Sequence, residues 1–257
     1  MSWSEPVNLI LRWIHVVAGI AWIGHLYFFN WVNAQVAKTY DADSKKKVVP
    51  ELMPRALYWF RWGAAYTWIS GILLLGIVVD MGGVLVTPES GWSVGAATGI
   101  GLGALVVAWF VYDALWKAMA KKEQAGVAVS LLLLAAMAFG LSMVMTGRAV
   151  FIHIGSVLGT IMATNVWFRI WPSQRKIIGA IKEGTAPDAA LVGLVGLRSK
   201  QNAYMSVPLV LLMVSNHYPT VYGTDMAWIG ATGFVIIGIG ATKWLFQKSA
   251  SPAPAKF

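Results

Sequence analysis

The four histidines are the residues of this chain best suited to hold a metal or a cofactor. Two of them, His15 and His25, lie within the stretch Arg12 to Asn30, which is apolar enough to cross a bilayer. Membrane interiors tolerate ionisable side chains poorly, so a histidine held there usually has a partner or a function. The chain has no cysteine. Thiolate ligands and covalently attached c-type haem, which requires C-x-x-C-H, are therefore excluded.

His15 and His153 fall at compatible depths in the first and the fifth of the apolar stretches described below. His15 lies about 13 Å along the first stretch at 1.5 Å per residue, and His153 lies near the outer end of the fifth. Haem b needs two axial imidazoles, or one with another ligand, from facing helices with small residues beside them. We therefore predict non-covalent haem b with His15 and His153 as the axial, iron-binding pair. The alternative is that each histidine only hydrogen-bonds a neighbouring helix.

Two further residues of the first stretch belong to this predicted haem site. Gly19 lies one turn from His15, roughly on the same helix face, and offers room for the macrocycle. Arg12 lies one turn before His15 and could pair with a haem propionate or an anionic substrate, because arginine favours carboxylates. The alternative for Arg12 is that its guanidinium extends to the outer lipid headgroups.

The other two histidines are open to several interpretations. His217 could be an acid–base group for a substrate that enters from outside, a ligand of a haem or a small metal site, or a helix cap. His25 could bind a second, inner haem, but the sequence offers no second ligand for it. We favour a packed His25, or one that contacts a haem propionate.

The composition predicts the framework that positions these residues. The chain is 58% hydrophobic and 12% charged, whereas a soluble domain averages about 45–50% apolar and about 25% charged. Long apolar runs indicate an all-α, polytopic membrane helix bundle. Seven spans are predicted: 6–32, 56–79, 93–116, 127–145, 149–171, 201–216 and 226–246. They form a single domain, 1–248, followed by a flexible C-terminal tail, 249–257.

The charges of the loops predict the orientation of the bundle. Alternate loops hold almost all the bases, so the positive-inside rule places the N-terminus outside and the C-terminus in the cytoplasm of a bacterial inner membrane. The same distribution explains the net charge of +9 by contact with the lipid bilayer rather than with nucleic acid. Between spans five and six, an amphipathic helix is expected on the cytoplasmic surface. Gly184 and Asp188 indicate a break there, with Asp188 as the N-cap of a second helix.

Two stretches carry a resemblance to a known family. The first, RWIHVVAGIAWIG from Arg12 to Gly24, resembles the first span of bacterial membrane-bound urate hydroxylases, the urate oxidase N-terminal domain family. The second, SKQNAYMSVP from Ser199 to Pro208, is followed by SNHYP from Ser215 to Pro219 and resembles a signature late in the same membrane domain. With the matching order of spans, the resemblance covers nearly the whole chain.

The resemblance implies an activity and a partner. The family is associated with oxidation of urate to 5-hydroxyisourate, in purine catabolism, with electrons passed to a fused cytochrome c. Because this sequence has no C-x-x-C-H, we expect a separate cytochrome c or a larger membrane complex to take the electrons. His15, His217 and Asn216 match the family's motifs, and we expect Asn216 and His217 to act in catalysis. The alternative is an accessory structural or electron-transfer subunit of a respiratory or oxygenase complex, without its own catalysis.

Overall fold

The computed structural model describes residues 4–80, 82–224 and 226–250, and these residues form helices and turns without a β-strand. The all-α prediction is therefore confirmed. Most of the predicted C-terminal tail lies outside the described residues. Apart from short helical turns, the helices are α1 Ser4–Tyr27, α2 Ala42–Leu74, α3 Val94–Ala118, α4 Glu123–Ser142, α5 Gly147–Asn165, α6 Trp171–Glu183, α7 Ala189–Ser215 and α8 Ala227–Ser249.

Two helices are longer than the spans predicted from the sequence. α2 begins at Ala42 rather than at residue 56, because the Asp41 side chain accepts a hydrogen bond from the Ser44 amide at 2.7 Å and caps the helix. α5 continues through the π-helical segment Val166–Ile170 directly into α6, so the predicted amphipathic helix is an extension of the fifth span.

The break between α6 and α7 lies where the sequence predicted it. Gly184 has a φ of 76°, a left-handed conformation that ends α6. The Asp188 side chain accepts a hydrogen bond from the Ala190 amide and caps α7, which confirms the predicted N-cap.

Six helical runs among the described residues are long and apolar enough to cross a membrane. α7, which contains the predicted sixth span, is not one of the six. Its middle carries the polar run Arg198 to Asn202, which lowers its mean hydropathy. The count of seven spans therefore stays a prediction.

α5 is the centre of the bundle and contacts α2, α3, α4, α7 and α8. In the most apolar stretch of α5, 78% of the residues are buried, against 6% in that of α1, which packs mainly on α2 at the edge of the bundle.

Glycine allows the closest approaches between helices. A Cβ at Gly155 would lie 2.7 Å from Met213 of α7, and one at Gly238 of α8 would lie 2.6 Å from Pro208 of α7.

Loops and polar contacts collect at two ends of the bundle. At one end, which we call the Arg148 end, the Thr146 amide donates to the Leu85 carbonyl, and Arg148 contacts Asn216. At the other, the Asp113 end, Asp113 of α3 contacts arginines that follow α5 and lie in α7. The basic loops of the sequence belong to the Asp113 end.

Candidate functional site

His15 is held by α2. Its Nδ1 lies 2.9 Å from the Thr67 carbonyl oxygen and 3.2 Å from the Ser70 hydroxyl. A carbonyl can only accept, so Nδ1 carries the proton, and in the neutral ring Nε2 has the free lone pair. The ring lies against Gly71, where a Cβ would be 3.0 Å from the His15 Cε1. Nε2 is therefore the His15 atom able to bind a metal.

His153 has a similar environment in a different helix contact. The residue is 1% exposed, and its Nδ1 lies 2.8 Å from the Ala149 carbonyl one turn earlier. This bond again assigns the lone pair to Nε2. Nε2 lies against Gly101 of α3, where a Cβ would be only 2.5 Å away. The two imidazoles thus share an Nδ1 hydrogen bond to a backbone carbonyl and a glycine packed against the ring, but the helices they contact are different.

The other residues predicted for the haem site also lie on α1. Arg12 is exposed, and its Nε donates to Asn8 Oδ1 at 2.6 Å, so its described contact is within its own helix. Gly19 faces Thr67 of α2, and a Cβ added at Gly19 would lie 3.8 Å from the Thr67 side chain. His25 is half-buried, with Nδ1 2.7 Å from the Ala21 carbonyl, and lines an open groove of about 440 Å³ between α1 and α2.

The structure brings Asn216 to an arginine that the site prediction omitted. Arg148 Nε donates to Asn216 Oδ1 at 2.5 Å, and both residues are half-buried. Because a guanidinium only donates hydrogen bonds, the Asn216 oxygen must face Arg148. The Asn216 Nδ2 then remains available to donate a hydrogen bond to a ligand. His217 follows at the exposed end of α7. The signal in the sequence was that Arg148 is the single base in the loops of this end.

The Asp113 end contains a buried ion cluster. Lys117, one helical turn after Asp113, lies 2.8 Å from its carboxylate, an ion pair of the kind that a four-residue spacing on one helix predicts. Arg169 binds the same carboxylate through two nitrogens, and Arg198, which is 1% exposed, binds it at 2.9 Å. Buried charges are retained when they are paired, so this cluster joins α3, α7 and the segment after α5. The two arginines were missed because they are distant from Asp113 in sequence.

The described residues contain no group of three or more histidine, aspartate or glutamate side chains placed to hold a metal ion. The interpretation of His217 as part of a small metal site therefore lacks further ligands in the described part of the chain. A haem needs no such group, because its porphyrin supplies four of the iron ligands and two imidazoles complete the set.

Comparisons with known proteins give one relationship. A family model described as urate oxidase N-terminal matches residues 2–49 and 40–256. No curated protein and no solved structure matches the chain.

Proposed function

Since this chain belongs to the urate oxidase N-terminal family, we propose that it is a membrane-embedded oxidoreductase for urate or a similar small substrate. It passes the electrons to a separate cytochrome c or to a larger membrane complex. The six long apolar helical runs in the part of the chain that the structure describes support embedding in a bilayer. In a bacterial inner membrane, with α7 as the remaining span, the positive-inside rule puts the basic Asp113 end in the cytoplasm and the Arg148 end outside.

In this proposal His15 and His153 are the residues that would hold the iron of haem b. The observation that carries it is the bond from each Nδ1 to a backbone carbonyl, which assigns the proton to Nδ1, makes Nε2 the nitrogen with the lone pair, and orients the ring. Gly71 lies against Cε1 and Nδ1 of His15 and Gly101 against Nε2 of His153, so the facing helix adds no side chain at either ring. The donor chemistry therefore fits the group. A bound haem would supply one-electron transfer.

The substrate site lies at Arg148, Asn216 and His217. Urate is an anion, and the Arg148 guanidinium and the Asn216 Nδ2 are donors suited to its oxygens. Oxidation of urate to 5-hydroxyisourate adds one water and releases two electrons and two protons. The exposed imidazole of His217 is placed to accept one of these protons.

Urate-dependent reduction of bound haem tests this function. The protein is purified in detergent after expression with haem supply, and its Soret and α bands are followed anaerobically after urate is added. We expect the bands of reduced haem with urate and no change with an unrelated anion such as benzoate. Haem that is present but not reduced by urate would contradict the proposed substrate.

The accessory-subunit alternative is favoured by one observation. The same contacts that prepare His15 and His153 as ligands also join α1 to α2 and α5 to α3, as purely structural histidines would. A protein that binds no haem but co-purifies with a respiratory or oxygenase complex would support this function instead.

A further inference from the structure

A second cavity, of about 640 Å³, lies among α3, α4, α5, α7 and α8 and is lined by none of the four histidines. Ligand sites in proteins commonly have volumes of this order. Along α4 the lining runs from Glu123 to Met137, which is about 21 Å at the helical rise of 1.5 Å per residue. The cavity is therefore a long slot parallel to the helices, a poor match for a compact substrate such as urate.

Polar and apolar residues line opposite ends of this slot. The end near Glu123 also has Lys200, Gln201 and Lys243. From there towards Met137 the lining is mainly apolar, with aliphatic members from α3, α4, α5 and α8 and with Met205 and Pro208 of α7: Val107, Val111, Leu131, Leu134, Val157, Leu158 and Val235. A ligand that fills the slot has a long apolar body and one polar end.

A chain of hydrogen bonds leaves one donor at the polar end without an acceptor. The Met162 carbonyl accepts from Asn202 Nδ2, so Asn202 Oδ1 must face Asn165 and accept from its Nδ2. Asn165 Nδ2 also donates to the Tyr112 hydroxyl, which in turn donates to Gln201 Oε1. These bonds fix the Gln201 amide. Its Nε2 is buried and has no acceptor among the described residues.

The surroundings of this donor are positive. Lys200 is neutralised by Glu123 at 2.8 Å, but Lys243 is exposed and makes no ion pair with any described residue. Next to the slot, the Arg198 guanidinium lies 4.9 Å from the centre of the Tyr112 ring. Arg198 belongs to the ion cluster described above, in which three cations share the single carboxylate of Asp113. An anionic oxygen at Gln201 would therefore be favoured over a neutral one.

We propose that this slot binds an anionic phospholipid, with an acyl chain along the aliphatic lining and a phosphate oxygen accepting from Gln201 Nε2 near Lys243. Basic pockets between membrane helices on the cytoplasmic side are typical sites for anionic headgroups. The polar end of the slot, with Glu123, Lys200 and Lys243, lies at the basic Asp113 end. The proposal rests on the proposed membrane embedding, but not on haem or urate.

Retention of lipid by the purified full-length protein tests this site. The protein is extracted in mild detergent, exchanged into detergent with equal amounts of phosphatidylglycerol and phosphatidylcholine, and examined by native mass spectrometry. Leu134→Trp fills the slot, whereas Leu132→Trp adds the same volume to a position of α4 that is 70% exposed and outside the slot. Lys243→Gln removes the positive charge proposed to lie near the lipid phosphate, and Lys248→Gln is its control on the same helix.

We expect the wild type, Leu132→Trp and Lys248→Gln to retain phosphatidylglycerol in preference to phosphatidylcholine. Leu134→Trp should lose it, and Lys243→Gln should bind it about fivefold more weakly, as one basic residue near an anionic surface implies. Matching melting temperatures for the two tryptophan variants exclude misfolding as the cause. If Leu134→Trp has a lower melting temperature than Leu132→Trp, the comparison of Lys243→Gln with Lys248→Gln still tests the proposal. Equal retention of both lipids, unchanged binding in Lys243→Gln, or a quinone in place of the lipid would overturn the proposal.

Discussion

The two ends of the bundle differ in how their charged side chains are paired. At the Asp113 end the buried carboxylate meets Arg169, Arg198 and Lys117, so its charge is fully compensated within the chain. At the Arg148 end, the guanidinium makes no ion pair with a described residue, and its described side-chain bond uses a neutral amide. The first arrangement holds helices together. The second leaves the guanidinium without a counter-charge among the described residues, which is why we place the urate site there.

Asp113→Asn is expected to have the largest effect of the substitutions considered, and this effect is a loss of stability. It leaves Arg198 buried without its counter-charge, and breaking a buried pair in this way costs about 3–5 kcal/mol. Thermal unfolding in detergent measures the loss. The matched control is Glu51→Gln, because the Glu51–Arg55 pair is exposed on both sides and exposed pairs contribute little. Equal stability of the two variants would show that the Asp113 cluster is not structural.

Arg148→Gln should have a smaller effect, and on substrate rather than on stability. Loss of a hydrogen bond to a charged group costs about 1.5–3 kcal/mol, so the urate concentration for half-maximal haem reduction should rise roughly 10- to 100-fold. Arg55→Gln, which removes an exposed guanidinium elsewhere, should leave that concentration unchanged. If Arg148→Gln instead lowered the melting temperature and left the urate response intact, both ends would be structural and the contrast between them would fail.

Gly101→Ala tests the contact between α3 and His153. Its Cβ would lie 2.5 Å from the His153 Nε2, and overpacking of this kind costs about 1–3 kcal/mol. We expect lower thermal stability together with reduced haem content. Gly103→Ala on the same helix meets nothing within 4 Å and should be neutral or stabilising. Full haem content in Gly101→Ala would argue against a ligand role for His153.

Local features of the structure were predictable from the sequence, and contacts between distant residues were not. The apolar runs, the Asp188 cap and the Asp113–Lys117 pair each depend on residues within a few positions of one another. Arg148–Asn216 and the binding of Arg198 to Asp113 depend on which helices meet, and the periodicity of a single helix does not encode its neighbours. The sequence indicated two histidines at compatible depth, but not that glycines of α2 and α3 would face them.

The haem content of the purified protein and its histidine variants is the most direct test of the proposed redox function. Pyridine haemochrome analysis gives the ratio of haem b to protein after expression with haem supply. We expect bound haem in the wild type and in His25→Ala, whose histidine lines a separate groove, and its loss in His15→Ala and His153→Ala. A wild-type protein that is folded but contains no haem, or His15→Ala and His153→Ala variants that keep it, would contradict the assignment of these two residues as ligands.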